Sequence, residues 1–214
     1  MQFLGKRHPL FAISKREGNM RRLVVGISGA TGAIYGIRLL QALSETDIET
    51  HLVISQAAEK TIHMETPWKV GEVMALAHTC YDTRDVGANI ASGSFVCDGM
   101  VVIPCAIKTL SGIANSYNDN LLVRAADVTL KEKRKLVVVV RETPFHKGHL
   151  KLMMNLADLG ATIMPPIPAF YCLPQTIDDI VNHLVGKVLD MFHIEHNLFK
   201  RWGSQEIIDA LAQK

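Results

Sequence analysis

From residue 23 onward the chain alternates two hydrophobic patterns. Short continuous runs rich in Val and Ile, such as RRLVVGI and KLVVVV, read as strands buried on both faces. Between them lie longer stretches in which apolar residues return every three or four positions, the period of an amphipathic helix. The pattern predicts strands over residues 23–27, 50–54, 99–103, 136–140 and 161–164. It predicts helices over 33–43, 57–64, 70–77, 108–115, 120–133, 148–159 and 177–192. Strands separated by helical crossovers imply an α/β class: an open, Rossmann-like, mainly parallel sheet covered by helices on both faces. Ligands of such sheets sit beyond the C-terminal ends of the strands, and the distinctive sequence falls there.

No internal repeat or low-complexity linker interrupts the alternation, so a single domain over residues 20–203 is expected, with a C-terminal tail at 204–214. Residues 1–19 mix charges with short apolar runs and lack a secretory pattern, and are expected to be a tail or leader ahead of Met20. The prolines of residues 165–168 cannot continue a helix and predict a stiff loop at the sheet edge. The aromatic residues of 194–203 are expected to pack back on the core or on another subunit.

Composition narrows the partners. With 214 residues, the chain balances 23 Lys and Arg against 21 Asp and Glu, a formal charge of +2 that argues against a broad nucleic-acid face and permits a local anion site. Four scattered cysteines without a CxxC pair fit a reducing, cytoplasmic setting rather than a disulfide framework or zinc knuckle. No apolar run approaches the roughly 20 residues of a membrane span.

The chemistry begins at the end of the first strand, in GISGATGAIYG. Gly29 and Gly32 permit a tight turn, Ser28 and Thr31 offer hydroxyls, and a helix from about Ala33 points free amides at an anion. The spacing is neither a Walker loop nor GxGxxG, and the second strand ends at Ser55 where a ribose-binding carboxylate would stand. A phosphorylated cofactor or a structural turn both fit, and Ser55 is either a ligand or an N-cap. A second small-residue turn, PCAIKTLSG, follows the third predicted strand.

Charged residues gather between 120 and 142: Asn120, Arg124, Asp127, Lys131, Arg134, Arg141 and Glu142. Arg124 and Lys131, seven apart, share a helix face that addresses one anion or faces solvent. Arg141 and Glu142 end the LVVVV strand at the ligand edge, where the pair is structural or holds an anion and relays a proton. Glu65, in HMETP, either ends a helix near the pocket or is an ordinary surface residue, while Tyr171 offers a phenol and Lys187 a charge. The pairs His146/His149 and His193/His196 are spaced to share helix faces but lack companion ligands, so capping or structural roles are expected and no metal. Cys105 has no neighbouring histidine to activate it.

GISGATGAIYG, PCAIKTLSGIA, NLLVRAADVTLKEKRKLVVVVRETPFHKGHL and IMPPIPAFY together resemble the flavin prenyltransferases, over about residues 20–202. The resemblance implies a flavoprotein that joins the dimethylallyl group of dimethylallyl phosphate to reduced FMN. The prenylated FMN would serve a UbiD-type decarboxylase, in ubiquinone synthesis or aromatic-acid metabolism, and the enzyme would be a homododecamer. By motif position, Gly29, Ala30, Thr31, Ser55, Ala106, Ile107, Lys108, Thr109 and Arg141 would meet FMN. Arg124, Lys131, Tyr171, Lys187 and Ser28 would surround the prenyl phosphate. Glu142 would transfer a proton, with Lys131 and Glu65 also at the chemistry. Thr31 and Ala106 stand where the family often has serine, and Lys187 where it often has arginine. The alternatives are an FMN-dependent cysteine decarboxylase, a direct aromatic-acid decarboxylase and a noncatalytic flavin carrier.

Overall fold

The computed structural model describes residues 21–205 and 208, so the expected N-terminal tail and most of the C-terminal one lie outside the described residues. Six parallel strands form one sheet in the order β3-β2-β1-β4-β5-β6. They are β1 (Arg22–Ile27), β2 (Glu49–Ile54), β3 (Thr79–Tyr81), β4 (Gly99–Cys105), β5 (Lys135–Val140) and β6 (Thr162–Ile163). The helices are α1 (Ala33–Ser44), α2 (Gln56–Glu65), α3 (Val70–Met74), α4 (Ile107–Ala114), α5 (Leu121–Lys131), α6 (Lys147–Asp158) and α7 (Ile177–Met191). The chain steps outward from β1 to β3, then returns to the other side of β1 with β4, so the strand order reverses between β1 and β4. That reversal opens a crevice at their C-terminal ends.

The continuous apolar runs are explained by two cores. Val25, Ile27, Leu52, Val101 and Val137 face α1 and α7, while Val24, Val53, Met100, Val102 and Val138 face α4, α5 and α6. Because successive strand residues point to opposite sides, every residue of Val24 to Ile27 is covered.

Two short elements escape the hydrophobic pattern. β3 holds three half-buried residues at the sheet edge and pairs with His51, Leu52 and Val53 of β2, too brief a run to show a period. A 3-10 turn at Asn89–Ala91 is likewise unanticipated. The third and sixth predicted helices keep their places, but α3 stops at Met74 because Ala75 to Ala77 close in turns rather than further helix. β6 contracts to two residues, since the prolines after Met164 remove the ladder donors.

The 194–203 segment divides. Ile194 is buried, Leu198 packs on the core and the Phe199 ring lies 4.6 Å from His183, whereas Trp202 stays 68% exposed. The expected helical pairing of His193 with His196 is overturned: α7 ends before them and His193 has φ 53°, a left-handed turn conformation. His146 is the N-cap of α6, its Nδ1 accepting from the Gly148 amide at 2.9 Å, and its ring lies 3.5 Å from that of His149.

Candidate active site

Three strand-to-helix turns meet over the crevice and border a cavity of about 960 Å³, a size that suits a cofactor. Gly29, Ser55, Ala106, Lys108, Thr109 and Asn120 are among its walls. The first turn is fixed to the third by Ser28, which is fully buried. Its hydroxyl donates to the Pro104 carbonyl at 3.0 Å and accepts from the Ala106 amide at 2.8 Å. Ser28 therefore shapes the crevice from behind and presents no surface to a ligand. Glycine is obligatory at position 29, because a Cβ there would stand 2.3 Å from that of Ala57 on α2. Gly32 takes φ 98°, the left-handed value that glycine adopts without steric penalty.

The anion expected at the start of α1 is supplied by the protein itself. Glu65, at the end of α2, accepts from the amides of Gly32 at 2.8 Å and Ala33 at 3.4 Å through one carboxylate oxygen. A carboxylate at the positive end of a helix satisfies donors that would otherwise seek a ligand, so the expectation of free α1 amides is corrected. Ser55 caps its own helix, its hydroxyl accepting from Ala58 at 3.1 Å. Of the three helices that start at the crevice, α4, whose N-cap is Ala106, is left without a side-chain cap among the described residues. Its opening amides, from Ile107, Lys108 and Thr109, point from the crevice edge and suit a phosphate.

Arg141 follows β5, and its amide donates to the Cys105 carbonyl at 3.0 Å. Its guanidinium has no hydrogen-bond or ion-pair partner among the described residues. It lies near the Tyr35 phenol, opposing the upward push that burial exerts on that group. One oxygen of Glu142 accepts from the Thr143 amide at 2.9 Å, and the carboxylate forms no ion pair with Arg141. The structural-pair alternative for these neighbours is thereby set aside. Cys105 is buried and its thiol is pushed far up by desolvation, which leaves no thiolate to attack.

The four residues expected around a prenyl phosphate, three cations and the Tyr171 phenol, do not converge in one chain. Arg124 and Lys131 project from α5, on the sheet face of α4 and α6. Asp127 receives Arg124 at 3.4 Å and also holds Ser116 and Asn118, each at 2.9 Å. Lys131 lies at the far end of α5, paired with Glu132 and beside Gly93, where the loop leads into the N-terminal end of β4. Arg134 holds the same loop through the Gly93 and Phe95 carbonyls at 2.7 and 2.6 Å. Tyr171 and Lys187 belong to the opposite face, the latter on α7 and 3.8 Å from Asp190. The Tyr171 hydroxyl is 3.0 Å from Nε2 of His183, a residue that sequence reasoning missed because a lone histidine within an apolar helix face carries no motif.

Comparisons with known proteins agree on one family. The model of the Flavoprotein family matches residues 12–189. Flavin prenyltransferase UbiX of Salmonella typhimurium is 61% identical over 186 residues, covering 86% of this chain and 98% of the relative. The solved structure of AnUbiX in complex with FMN and dimethylallyl pyrophosphate superposes with a TM-score of 0.86 at 46% identity, covering 87% of this chain and 99% of that one. A dodecameric, FMN-dependent UbiX-like decarboxylase from Escherichia coli O157:H7 superposes at 0.84 with 52% identity, over 86% and 100% of the respective chains. The peptidyl-cysteine decarboxylase EpiD, 16% identical with a TM-score of 0.57 over 71% of this chain and 84% of its own, shares the fold alone.

Proposed function

The chain belongs to the flavoprotein family and is a flavin prenyltransferase, and from that premise we propose how its residues bind and use the two substrates. The observation that carries the reading is the crevice of Gly29, Ser55 and Ala106, with one uncapped helix start, and an unpartnered Arg141 whose amide is bonded to Cys105, next to Ala106. Its open amides and free guanidinium are donors without internal acceptors, the donor set that an FMN phosphate and a polar flavin edge require. Ile107, Lys108, Thr109 and Ser55 hold the phosphate end, and Gly29, Ala30, Thr31 and Arg141 line the ring. When bound, reduced FMN supplies the nucleophilic nitrogen and ring carbon that receive the five-carbon unit.

Glu65 occupies the Gly32 and Ala33 amides at the start of α1 and so directs the phosphate to α4 rather than to the other helix start. Arg124, Lys131, Tyr171 and Lys187 bind the phosphate of dimethylallyl phosphate and stabilise its departing charge, an effect that grows once water is excluded. Since the first pair lies on one sheet face and the second on the other, a full set is assembled between subunits. This supports a homo-oligomer, and the dodecamer of the Escherichia coli neighbour supplies the stoichiometry. Glu142 moves the proton during ring closure, its amide contact with Thr143 fixing one oxygen while the other remains available. The product then serves a UbiD-type decarboxylase in the cytoplasm. No helix among the described residues is long and apolar enough to cross a membrane.

The cysteine decarboxylase reading rests on fold alone. Anaerobic incubation with reduced FMN and dimethylallyl phosphate, followed by mass analysis of the released flavin, tests the proposal. A five-carbon gain is expected; bound but unchanged FMN would refute transfer and leave the carrier reading.

A further inference from the structure

Tyr171 would be a loosely held phenol were it not for α7. It is 42% exposed and follows a loop of prolines, and its hydroxyl has a single polar contact, Nε2 of His183 at 3.0 Å. His183 is itself immobilised. Only 8% exposed, it sits edge-on to the Tyr171 ring at 5.6 Å and against the Phe199 ring at 4.6 Å. The Trp202 ring also packs edge-on to Tyr171, at 5.5 Å. Lys187 lies one turn further along the same helix face. The imidazole thus links a partly exposed phenol to α7, next to a cation.

Resting on the function proposed above, we propose that His183 is a positioning residue that holds Tyr171 with its phenolic hydrogen directed at the prenyl phosphate. The chemistry of the three groups selects one arrangement. At neutral pH a phosphate monoester carries close to two negative charges and offers acceptor oxygens only. A phenol that donates to His183 would turn its lone pairs toward that anion and repel it. A phenol that accepts from Nε2–H keeps its own hydrogen for the phosphate. Binding therefore draws His183 into the tautomer protonated at Nε2. Burial, and then the charge of Lys187, push the histidine pKa down, so the ring does this as a neutral donor and takes no charge of its own.

The test uses the assembled protein loaded with oxidised FMN, in which dimethylallyl phosphate binds without turnover, and reads its dissociation constant by calorimetry. His183→Phe keeps a ring in the aromatic cluster and removes the donor; about tenfold weaker binding is expected, with FMN affinity and Tm preserved. His183→Gln returns an N–H donor and should recover most of the loss. In a Tyr171→Phe background, His183→Phe should change binding less than twofold, because the group it positions is gone. Unaltered binding in His183→Phe overturns the proposal. So does an equal loss with Tyr171 absent, or a parallel fall in FMN affinity that Gln does not rescue. Wild-type protein that binds the prenyl phosphate but never prenylates reduced FMN would refute the parent function alone.

Discussion

Replacing Ser28 with alanine removes one oxygen from a site that no solvent reaches. The hydroxyl serves two backbone groups at once, the Pro104 carbonyl and the Ala106 amide. Their losses are unequal. Pro104 retains the Ser28 amide as a donor at 3.2 Å, whereas Ala106 N–H is left facing a methyl group without a partner. A buried amide without an acceptor costs about 1–3 kcal/mol, and a carbonyl with one remaining bond costs little. About 2 kcal/mol is therefore expected for Ser28→Ala without ligand, which in a chain of this size lowers Tm by about 4–8 °C. The consequence for function follows from where Ala106 stands. It heads α4, whose opening amides are assigned to the flavin phosphate, so a displaced turn weakens FMN binding by about tenfold, or about 1.4 kcal/mol. Thermal melts at matched subunit concentration, with and without saturating FMN, separate the two effects, because a ligand stabilises in proportion to the logarithm of its affinity. A ligand-free shift below about 0.5 kcal/mol would refute the hydrogen-bond accounting. A full ligand-free loss with an unchanged FMN increment would refute the link between Ser28 and the phosphate site.

Three further outcomes are expected. Lys131→Ala and Glu142→Gln should each abolish most prenylation while retaining FMN. Co-assembly of Lys131→Ala chains with Lys187→Ala chains should regain part of the prenylation that either loses alone, since some interfaces then carry both native cations; no recovery on mixing would place Lys131 and Lys187 in one chain's site. Ala106→Ser supplies the missing side-chain cap of α4 and should stabilise the FMN-free protein by about 1 kcal/mol, read by urea unfolding; an unchanged midpoint would mean that the α4 amides already have acceptors. Burial holds the His51 pKa below its ordinary value of 6.5, opposed by Glu49 and reinforced by Arg22 and His78. Between the folded pKa and about 6.5 the unfolded chain binds more protons, so stability is complete above that range and declines as pH falls through it. Urea midpoints measured from pH 7.5 to 5 should show this decline, and His51→Gln should flatten it; an unaltered slope in the variant would exonerate His51.

Much of the architecture was legible because it is written in local periods. Continuous apolar runs such as LVVVV require burial on both faces, and a helix between each pair of such strands compels a parallel sheet. The same local logic located the crevice, since small residues after β1, β2 and β4 fall at strand ends wherever the strands are placed. Asn120 and Ser55 have the residue types of N-caps, and both serve as such, accepting from Val123 at 3.1 Å and Ala58 at 3.1 Å. β3 was invisible for the complementary reason. Its three residues owe their conformation to pairing with β2 rather than to any pattern of their own.

What the sequence by itself determined, then, was fold class, the edge on which a ligand sits and, through long ordered motifs, the family. What only the tertiary structure decided was which polar groups remain free to act. Both α1 and α4 begin as open helix ends in the sequence, yet Glu65, 32 residues beyond Ala33, closes the first and no side chain among the described residues closes the second. Arg124, Lys131, Tyr171 and Lys187 read as one phosphate-binding set, yet the sheet separates them into two. The physical reason is common to both cases. A period or a cap is a relation among neighbours a few residues apart, whereas the satisfaction of a donor or the meeting of charges depends on groups that only the folded backbone brings within hydrogen-bonding reach.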